Sequence, residues 1–385
     1  MADKIRYVGN AVRKAKIKTN FKRSLNLTLV LAVIIIAALI GLDIAEKTAV
    51  DSLGQESEST GYPVSFSTND IRDVKVMGKN LVVLTKKFVT ALDSKGNILW
   101  EHSLAYGDSA VFTNDNYTLV FDRLSNKYAV IDKKGKIDER KTDISSQIFN
   151  ARVTDNGSVL LALRSDSSSS LVAVTDKKGK DKLIWSCTQE YVVDLALSDD
   201  GKTLFCTGIG AMGGEMYTKV YALKVKNGEE KSYTVPTSSC ISLNVLSSDK
   251  FNVLMADGLY VFNSSKDEML INSVKFNSKL INWASDSQGN IAVLTESTGN
   301  ISENILRVYG AKAEEKYNLS LEDGIEDIFV NENEALLLYS DYAVAVNDGE
   351  TDRKFFFSKK AVGIVKAQKQ VYCYSLGGVE KAKDK

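Results

Sequence analysis

Histidine and proline are nearly missing from this chain of 385 residues, which has one histidine and two prolines. A zinc site built from several histidines is therefore excluded. Any Ser–His–Asp catalytic site would have to use His102, which follows Trp100 in a predicted strand. We expect His102 to be a surface or strand-edge residue, and the sequence presents no catalytic residues.

Cysteine is also scarce, and its spacing is wide. The four cysteines are Cys187, Cys206, Cys240 and Cys373. No C-x-x-C pair, no other metal-ligand spacing and no calcium-binding loop of the D-x-D-x-D-G type occurs. We therefore expect no metal site, and we expect buried, unpaired thiols.

The chain has no net charge, but its charges are unevenly distributed. Residues 1–24 contain eight basic residues and one acid, whereas the remainder contains 41 basic and 48 acidic residues. A mildly acidic main domain lacks the basic stripe that nucleic-acid binding requires. We therefore predict no nucleic-acid partner.

One long apolar run, "LNLTLVLAVIIIAALIGL", covers residues 25–42 without a charge. A helix of this length spans about 27 Å, close to the thickness of a bilayer core. The basic excess before it predicts a cytoplasmic tail over 1–24, a single transmembrane helix and an extracytoplasmic C-terminal part. The polar composition of residues 43–61 predicts a stalk. The alternative, a cleaved signal peptide, is disfavoured by the length of the run and the missing A-x-A site.

From residue 62 onward, short alternating runs separated by turn residues predict strands. Similar hairpins recur as "ALDSKGNILW" (91–100), "AVIDKKGKID" (129–138) and "AVTDKKGKDKLIW" (173–185). In each, Asp accepts backbone hydrogen bonds and Gly supplies a positive φ, so that the two strands join through a tight turn. A second set of turns, such as "LALSDDGKTLFCT" (195–207), alternates with the first.

The alternation gives units of four strands, which we name a to d. The closing d strands centre near Trp100, Glu139, Trp185, Tyr233, Ile271, Tyr317 and Phe356. A four-stranded unit recurring about every 40–48 residues is typical of a β-propeller. Strands within 361–382 and a strand at 62–67 would complete an eighth blade. We predict an all-β fold, an eight-bladed propeller over 62–382 with an N-terminal transmembrane helix and a tail at 383–385; seven blades is the alternative.

"ALDSKGNILW" resembles the A-x-D-x-x-x-G-x-x-x-W repeat of quinoprotein (PQQ-like) propellers, with one residue fewer between Asp93 and Gly96. "LALSDDGKTLFCTG" is similar to the S-P-D-G-K-x-L hairpin of WD40-like and lactonase-like propellers, with Asp199 at the proline position. The plan as a whole resembles uncharacterised single-pass propeller proteins of Gram-positive bacteria that contain a domain of unknown function. The resemblance covers 62–382 and concerns the fold.

Three patterns suggest cofactors, but their context does not support them. "GIGAMG" (208–213) has the spacing G-x-G-x-x-G, yet an alternating strand pattern follows where a dinucleotide site needs a helix. We interpret it as a loop between strands b and c. "GKT" (201–203) lacks the glycine that a phosphate loop requires. A PQQ site is not expected, since only Trp100 and Trp185 occupy the terminal Trp position, where they would dock neighbouring blades. We predict no cofactor.

The b–c connections vary most, and three are long: 164–170, 208–216 and 296–304. In a propeller these connections share one face with the d–a connections. Since loops carry grafted function, we predict a partner-binding face there. Its candidate residues are Arg164, Ser167, Gly208, Met212, Glu215, Glu296, Asn300 and Glu303.

These features favour a membrane-anchored binding or scaffold module for a protein, a peptide or a cell-wall ligand, and not an enzyme. The alternative is an extracellular carbohydrate-active lyase or hydrolase that uses carboxylates of the central funnel. The inner strands are largely apolar, with isolated charges, which disfavours that alternative.

Overall fold

The computed structural model describes residues 61–67, 69–142, 146–297 and 303–384. The predicted cytoplasmic tail, the predicted transmembrane helix and all of the predicted stalk except Gly61 lie outside these residues. Across the described ranges, no helix has the length and apolar character needed to cross a bilayer.

The described strands form eight sheets, seven with four strands and one with five. The N-terminal strand β1 is Val64–Ser65. Blade 1 contains β2 (Asp73–Met77), β3 (Asn80–Leu84), β4 (Phe88–Leu92) and β5 (Ile98–Ser103); blade 2 contains β6 (Ser109–Thr113), β7 (Tyr117–Asp122), β8 (Lys127–Asp132) and β9 (Ile137–Lys141). Blade 3 contains β10 (Ile148–Val153), β11 (Val159–Arg164), β12 (Ser170–Thr175) and β13 (Asp181–Cys187); blade 4 contains β14 (Tyr191–Leu197), β15 (Thr203–Met212), β16 (Glu215–Lys224) and β17 (Glu230–Pro236).

The second half of the molecule repeats the same order. Blade 5 contains β18 (Cys240–Val245), β19 (Lys250–Met255), β20 (Gly258–Asn263) and β21 (Leu270–Lys275); blade 6 contains β22 (Leu280–Ser285), β23 (Ile291–Glu296), β24 (Glu303–Tyr309) and β25 (Glu315–Glu322). Blade 7 contains β26 (Asp327–Asn331), β27 (Glu334–Leu338), β28 (Tyr342–Asn347) and β29 (Glu350–Phe356); blade 8 contains β30 (Gly363–Ala367), β31 (Gln370–Ser375) and β32 (Gly378–Lys381) together with β1. The prediction of eight blades is confirmed, and the alternative of seven is wrong.

The first and last strands close the ring. Val64 and Ser65 of β1 pair antiparallel with Val379 and Gly378 of β32, so that β1 supplies the d strand of blade 8. The inner strands β2 and β6 contact each other, and β30 contacts β2. Closure pairs edges that would otherwise be free to aggregate.

The end of the chain differs from the predicted tail. Lys383–Asp384 forms the short strand β33, which pairs with Phe355 and Phe356 of β29 and gives blade 7 a fifth strand. The chain therefore finishes on the outside of the blade that precedes its own.

The c–d turns are built as the repeats predict. In blade 1, Oδ1 of Asp93 accepts hydrogen bonds from the amides of Lys95 (2.8 Å) and Asn97 (2.9 Å). Asp132 and Asp176 accept the equivalent pairs of amide hydrogen bonds in blades 2 and 3. The aspartate thus satisfies backbone donors that a two-strand turn leaves unpaired.

Aromatic side chains on d strands pack against the following blade, which holds the ring together. Trp100 is 8% exposed and shares a core with Val120 and Ile131 of blade 2. The ring of His102 lies beside the indole, and its Nε2 atom is 2.8 Å from the carbonyl oxygen of Gly135. The predicted docking role of the tryptophan is confirmed.

The two faces of the ring carry different connections. One face, which we call the b–c face, holds the b–c and d–a connections; the other, the a–b face, holds the a–b and c–d turns. This assignment follows from the consecutive antiparallel order of the strands in every blade.

Candidate functional site

The b–c face carries a two-stranded arm in blade 4. Its strands β15 and β16 each have ten residues and pair without interruption from Thr203–Lys224 to Met212–Glu215. On one side β14 begins with Tyr191 opposite Ile209, and on the other β17 ends with Pro236 opposite Tyr217. The arm therefore extends three residues beyond β14 and two beyond β17, about 7–10 Å at about 3.3 Å per residue.

The arm corrects the interpretation of "GIGAMG" as a b–c loop. Residues 208–212 belong to β15, and Gly213 and Gly214, with φ of 63° and 86°, form the two-residue turn. Two successive positive φ values match the twist of a hairpin, which is why the strands continue into the turn. Gly210 lies opposite Tyr217, and a Cβ there would collide with the Tyr217 ring.

A buried carboxylate anchors the base of the arm. Glu190, in the d–a connection before β14, is 2% exposed. Its Oε1 accepts a hydrogen bond from the hydroxyl of Tyr217 (2.8 Å), and its Oε2 accepts one from Tyr221 (2.5 Å). The thiol of Cys187 also donates to Oε2 (3.3 Å).

The protonation of this cluster follows from its contacts. Burial alone would raise the pKa of Glu190, but the hydrogen bonds from Tyr221 and Tyr217 outweigh it and hold the pKa below the ordinary value of a glutamate. Burial and the bond to the carboxylate raise the pKa of Tyr221. Burial raises the pKa of the Cys187 thiol. Glu190 is therefore a charged acceptor at neutral pH, and the tyrosines and the cysteine are neutral donors.

The serine-rich b–c loop of blade 3 is tied to the same connection. The hydroxyl of Ser169 donates to the carbonyl oxygen of Thr188 (3.0 Å), and Ser170 Oγ accepts from the amide of Val192 (2.9 Å). The loop of blade 3, the d–a connection and the arm of blade 4 thus form one hydrogen-bonded region.

Exposed apolar side chains are concentrated on the b–c face. Of the thirteen large apolar side chains that are exposed among the described residues, eight lie in its connections, on the arm or at the first positions of inner strands. They are Leu124, Phe149, Tyr191, Met212, Met216, Ile281, Val362 and Leu376. The other five lie on the outer d strands: Ile98, Leu99, Ile184, Ile271 and Phe356. The a–b and c–d turns in the described part of the chain contain none of the thirteen.

The arm carries the most exposed of these side chains. Met212 is 77% exposed and Met216 is 57% exposed. They lie on opposite sides of the arm, because Met216 pairs with Ala211 and Met212 pairs with Glu215. Methionine is unbranched and polarisable, which suits it to contact partner surfaces of varied shape.

The charged side chains of the inner strands have structural partners. Oδ2 of Asp194 accepts hydrogen bonds from Arg152 (2.7 Å) and from the amide of Leu243 in the next blade (2.8 Å). Oδ2 of Asp327 accepts from the amide of Ile364 (3.0 Å), and burial raises the pKa of Asp327. These carboxylates connect inner strands of neighbouring blades, which leaves them poorly placed for the chemistry of a funnel enzyme.

The structure brings some of the predicted site residues together. Arg164, at the end of β11, and Ser167, in the following loop of blade 3, are both exposed. Gly208, Met212 and Glu215 belong to the arm of blade 4 beside them. Glu296 and Glu303 lie at the ends of β23 and β24 in blade 6, with blade 5 in between. Glu296 is paired with Lys279 (3.4 Å). Asn300 lies outside the described residues.

Sequence reasoning missed Glu190 and the two tyrosines that bind it. The available signal was a glutamate between two polar residues and an apolar strand, in "CTQEYVVDLAL" (187–197), which is also typical of an exposed turn. The four cysteines are buried and are not disulfide-bonded. Within the part of the chain that the structure describes, no cluster of three or more His, Cys, Asp or Glu residues could hold a metal ion.

Comparison with protein families gives one match, which covers most of the chain. The sequence pattern described as a family of unknown function (DUF5711) matches residues 55–382. No curated protein matches the sequence.

Several solved structures share the fold at low sequence identity. BamB from Moraxella catarrhalis is 12% identical with a TM-score of 0.52, and the match covers 83% of this chain and 97% of BamB. The Cps50 (Swd1) β-propeller domain of Myceliophteria thermophila is 12% identical with a TM-score of 0.50, covering 72% of this chain and 95% of that domain. The dihydro-heme d1 dehydrogenase NirN is 14% identical with a TM-score of 0.52, covering 76% of this chain and 67% of NirN. These likenesses confirm the propeller and leave the activity to be argued from the site.

Proposed function

The chain belongs to the family of unknown function DUF5711, and from its structure we propose that it is a membrane-anchored, extracytoplasmic propeller that binds a protein or peptide partner on its b–c face. The observation that carries the proposal is the concentration of exposed apolar side chains on that face, three of which, Tyr191, Met212 and Met216, lie on blade 4.

The arm holds its exposed side chains in a fixed position. Its base is fixed by the hydrogen bonds of Tyr217 and Tyr221 to Glu190, a charged acceptor, and such bonds are stronger than those between neutral groups. A fixed arm loses little conformational entropy when a partner binds. Exposed Met212 and Met216 then supply the apolar contact area that partner binding requires.

The chemistry of the face favours a protein or peptide over a cell-wall polymer. Exposed methionine and leucine side chains concentrated on one face favour association with another protein. A cell-wall polymer rich in hydroxyl and charged groups would gain little from methionine and leucine side chains. The membrane anchor is argued from the apolar run at 25–42 and the basic residues before it.

The test compares two double variants of the full-length chain in detergent or nanodiscs. Met212→Asp with Met216→Asp places charges on the arm. Ile184→Asp with Ile271→Asp places the same charges on exposed d-strand positions of blades 3 and 5, where the original side chains are about as exposed as Met216. Each protein is used to capture cell-surface proteins, and the captured species are identified by mass spectrometry.

We expect one specific partner to be retained by the unchanged protein and by the d-strand variant, and lost with the arm variant. The proposal is wrong if the arm variant retains it, or if both variants lose it equally. Retention of wall polymer but of no protein would assign the face to a cell-wall ligand instead.

A further inference from the structure

The chain joins the propeller on the a–b face, opposite the proposed partner face. Gly61 lies beside the c–d turn of blade 1: a Cβ at Gly96 would be 3.1 Å from its carbonyl carbon. The hydroxyl of Tyr62 donates to the carbonyl oxygen of Asp93 (3.0 Å) in the same turn. Gly61, the first residue that the structure describes, therefore lies on the a–b face.

The turns next to this junction are rich in lysine. We call the c–d turns of blades 1, 2 and 3, at 93–97, 132–136 and 176–180, the lysine turns. Together they contain seven lysines and three aspartates, and all seven lysines are exposed. The seven are Lys95, Lys133, Lys134, Lys136, Lys177, Lys178 and Lys180.

The c–d turns of the other blades have the opposite balance. The turns at 224–229, 263–269, 310–314 and 347–350 contain four lysines and six acidic residues. Taken together, the c–d turns of blades 1 to 3 therefore carry a net basic charge, whereas those of blades 4 to 7 carry a net acidic charge. Gly61 lies beside the turn of blade 1.

The lysine turns are neighbours, joined by contacts from blade to blade. Trp100 of blade 1 packs against Gly135 in the second turn. Arg140 of blade 2 donates a hydrogen bond to the carbonyl oxygen of Lys177 in the third turn (2.6 Å). Within each turn the aspartate accepts amide hydrogen bonds, so its carboxylate is engaged by the backbone while the lysines extend to solvent.

We propose that the lysine turns contact anionic lipid headgroups of the membrane in which the chain is anchored, so that the a–b face points toward the bilayer and the b–c face points away from it. This inference rests on the anchored function proposed above. Basic segments close to an anionic leaflet are attracted to its surface within a Debye length. Eighteen residues separate the predicted helix from Gly61, so even a fully extended connection holds the ring within about 65 Å of the bilayer. Tethering makes the contact effectively intramolecular.

Energy transfer between the protein and lipid headgroups tests the orientation. All four native cysteines are buried, so a single cysteine introduced at exposed Ser94 or exposed Ser167 can be labelled on the a–b or the b–c face. The full-length chain is placed in nanodiscs of phosphatidylcholine, or of phosphatidylcholine and phosphatidylglycerol in equal parts, with an acceptor dye on a headgroup.

The charge dependence is tested with two matched variants. One carries Glu in place of Lys133, Lys134, Lys177 and Lys178. The control carries Glu in place of Lys202, Lys226, Lys250 and Lys266, four exposed lysines on the a–b face of blades 4 and 5. Both variants change the net charge equally, so only the location differs.

In anionic discs we expect stronger energy transfer from the dye at Ser94→Cys than from the dye at Ser167→Cys. High salt and the first lysine variant should each reduce the transfer from Ser94→Cys to the value in phosphatidylcholine discs. The control variant should not reduce it. Equal transfer from the two faces, or equal loss in the two variants, would overturn the orientation. Retention of the chain in the discs at high salt is measured in parallel. A chain that separates from lipid would overturn the anchored function itself.

Discussion

Trp100 and Gly135 meet across the boundary between blades 1 and 2: a Cβ at Gly135 would lie 2.7 Å from the indole ring. Because Gly135, in the c–d turn of blade 2, has no side chain, there is room for Trp100 from the c–d hairpin of blade 1. The glycine that turns the chain of blade 2 thus also receives the docking tryptophan of blade 1.

Replacing this tryptophan should weaken the ring. Trp100→Ala removes a nearly buried side chain from the core shared by blades 1 and 2, and we expect it to lower the free energy of unfolding by about 3–5 kcal/mol. Leu99→Ala, at the adjacent exposed position, should change it by less than about 0.5 kcal/mol. Urea unfolding monitored by fluorescence and circular dichroism measures both; equal losses would contradict the docking role.

Glu190 should make stability depend on pH. Its pKa in the folded protein is lowered, so the stabilisation that it contributes is complete above the unfolded value of about 4.3 and is lost as the pH falls through the folded value. Glu190→Gln should therefore be less stable than the unchanged protein at pH 7, by about 1.5–3 kcal/mol for hydrogen bonds to a charged group.

The difference between Glu190→Gln and the unchanged protein should shrink below about pH 4. Unfolding curves for the two proteins at neutral and acidic pH test this. Tyr217→Phe serves as the control that removes one donor and leaves the carboxylate in place. A difference that stays constant with pH would show that Glu190 acts through packing alone.

The carboxylate of Asp194 should be essential to the contact between blades 3, 4 and 5. Asp194→Ala leaves Arg152 and the amide of Leu243 without their acceptor in a buried setting, and we expect a loss of about 3–5 kcal/mol. Asp199→Ala, in the exposed turn that follows β14, should be nearly neutral. Thermal melts of the two variants distinguish them, and similar melting temperatures would refute the assignment.

The closure of the ring can be tested at Gly378. A Cβ there would lie 2.7 Å from the carbonyl oxygen of Val64, so Gly378→Val should separate β1 from β32. We expect limited proteolysis to cleave this variant between residues 61 and 72, where the unchanged protein is protected. Leu376→Val, an exposed substitution in the neighbouring turn, is the control; cleavage of both proteins at the same rate would count against the closure.

Repetition made the blades predictable from the sequence. The hairpins around Asp93, Asp132 and Asp176 repeat one chemistry, so each instance supports the others, and the structure has them as expected. The N-terminal strand was predictable for a similar reason, because three C-terminal strands required a fourth. Local features without a repeat were harder to predict.

The arm of blade 4 shows why. Gly208 and Gly210 look like loop residues, but they are strand positions that leave room for Glu190 and Tyr217. That requirement comes from side chains distant in the sequence, which no local pattern shows. Phe149 and Ile281 have no partner in the second strand of their blades, because each lies at a bulge in the inner strand. The position of such a bulge depends on the pairing of the two strands and has no local sequence pattern.

Pairing of Val64 with Val379 also sets the order of events during synthesis. The two residues are roughly 315 positions apart, so β1 has no partner until β32 has been made, and such distant contacts form slowly. Blades 1 to 7 can form before β1 has its partner strand. A chain that stops before residue 378 would hold an incomplete ring in which the edges of β1 and of the last strand made are unpaired.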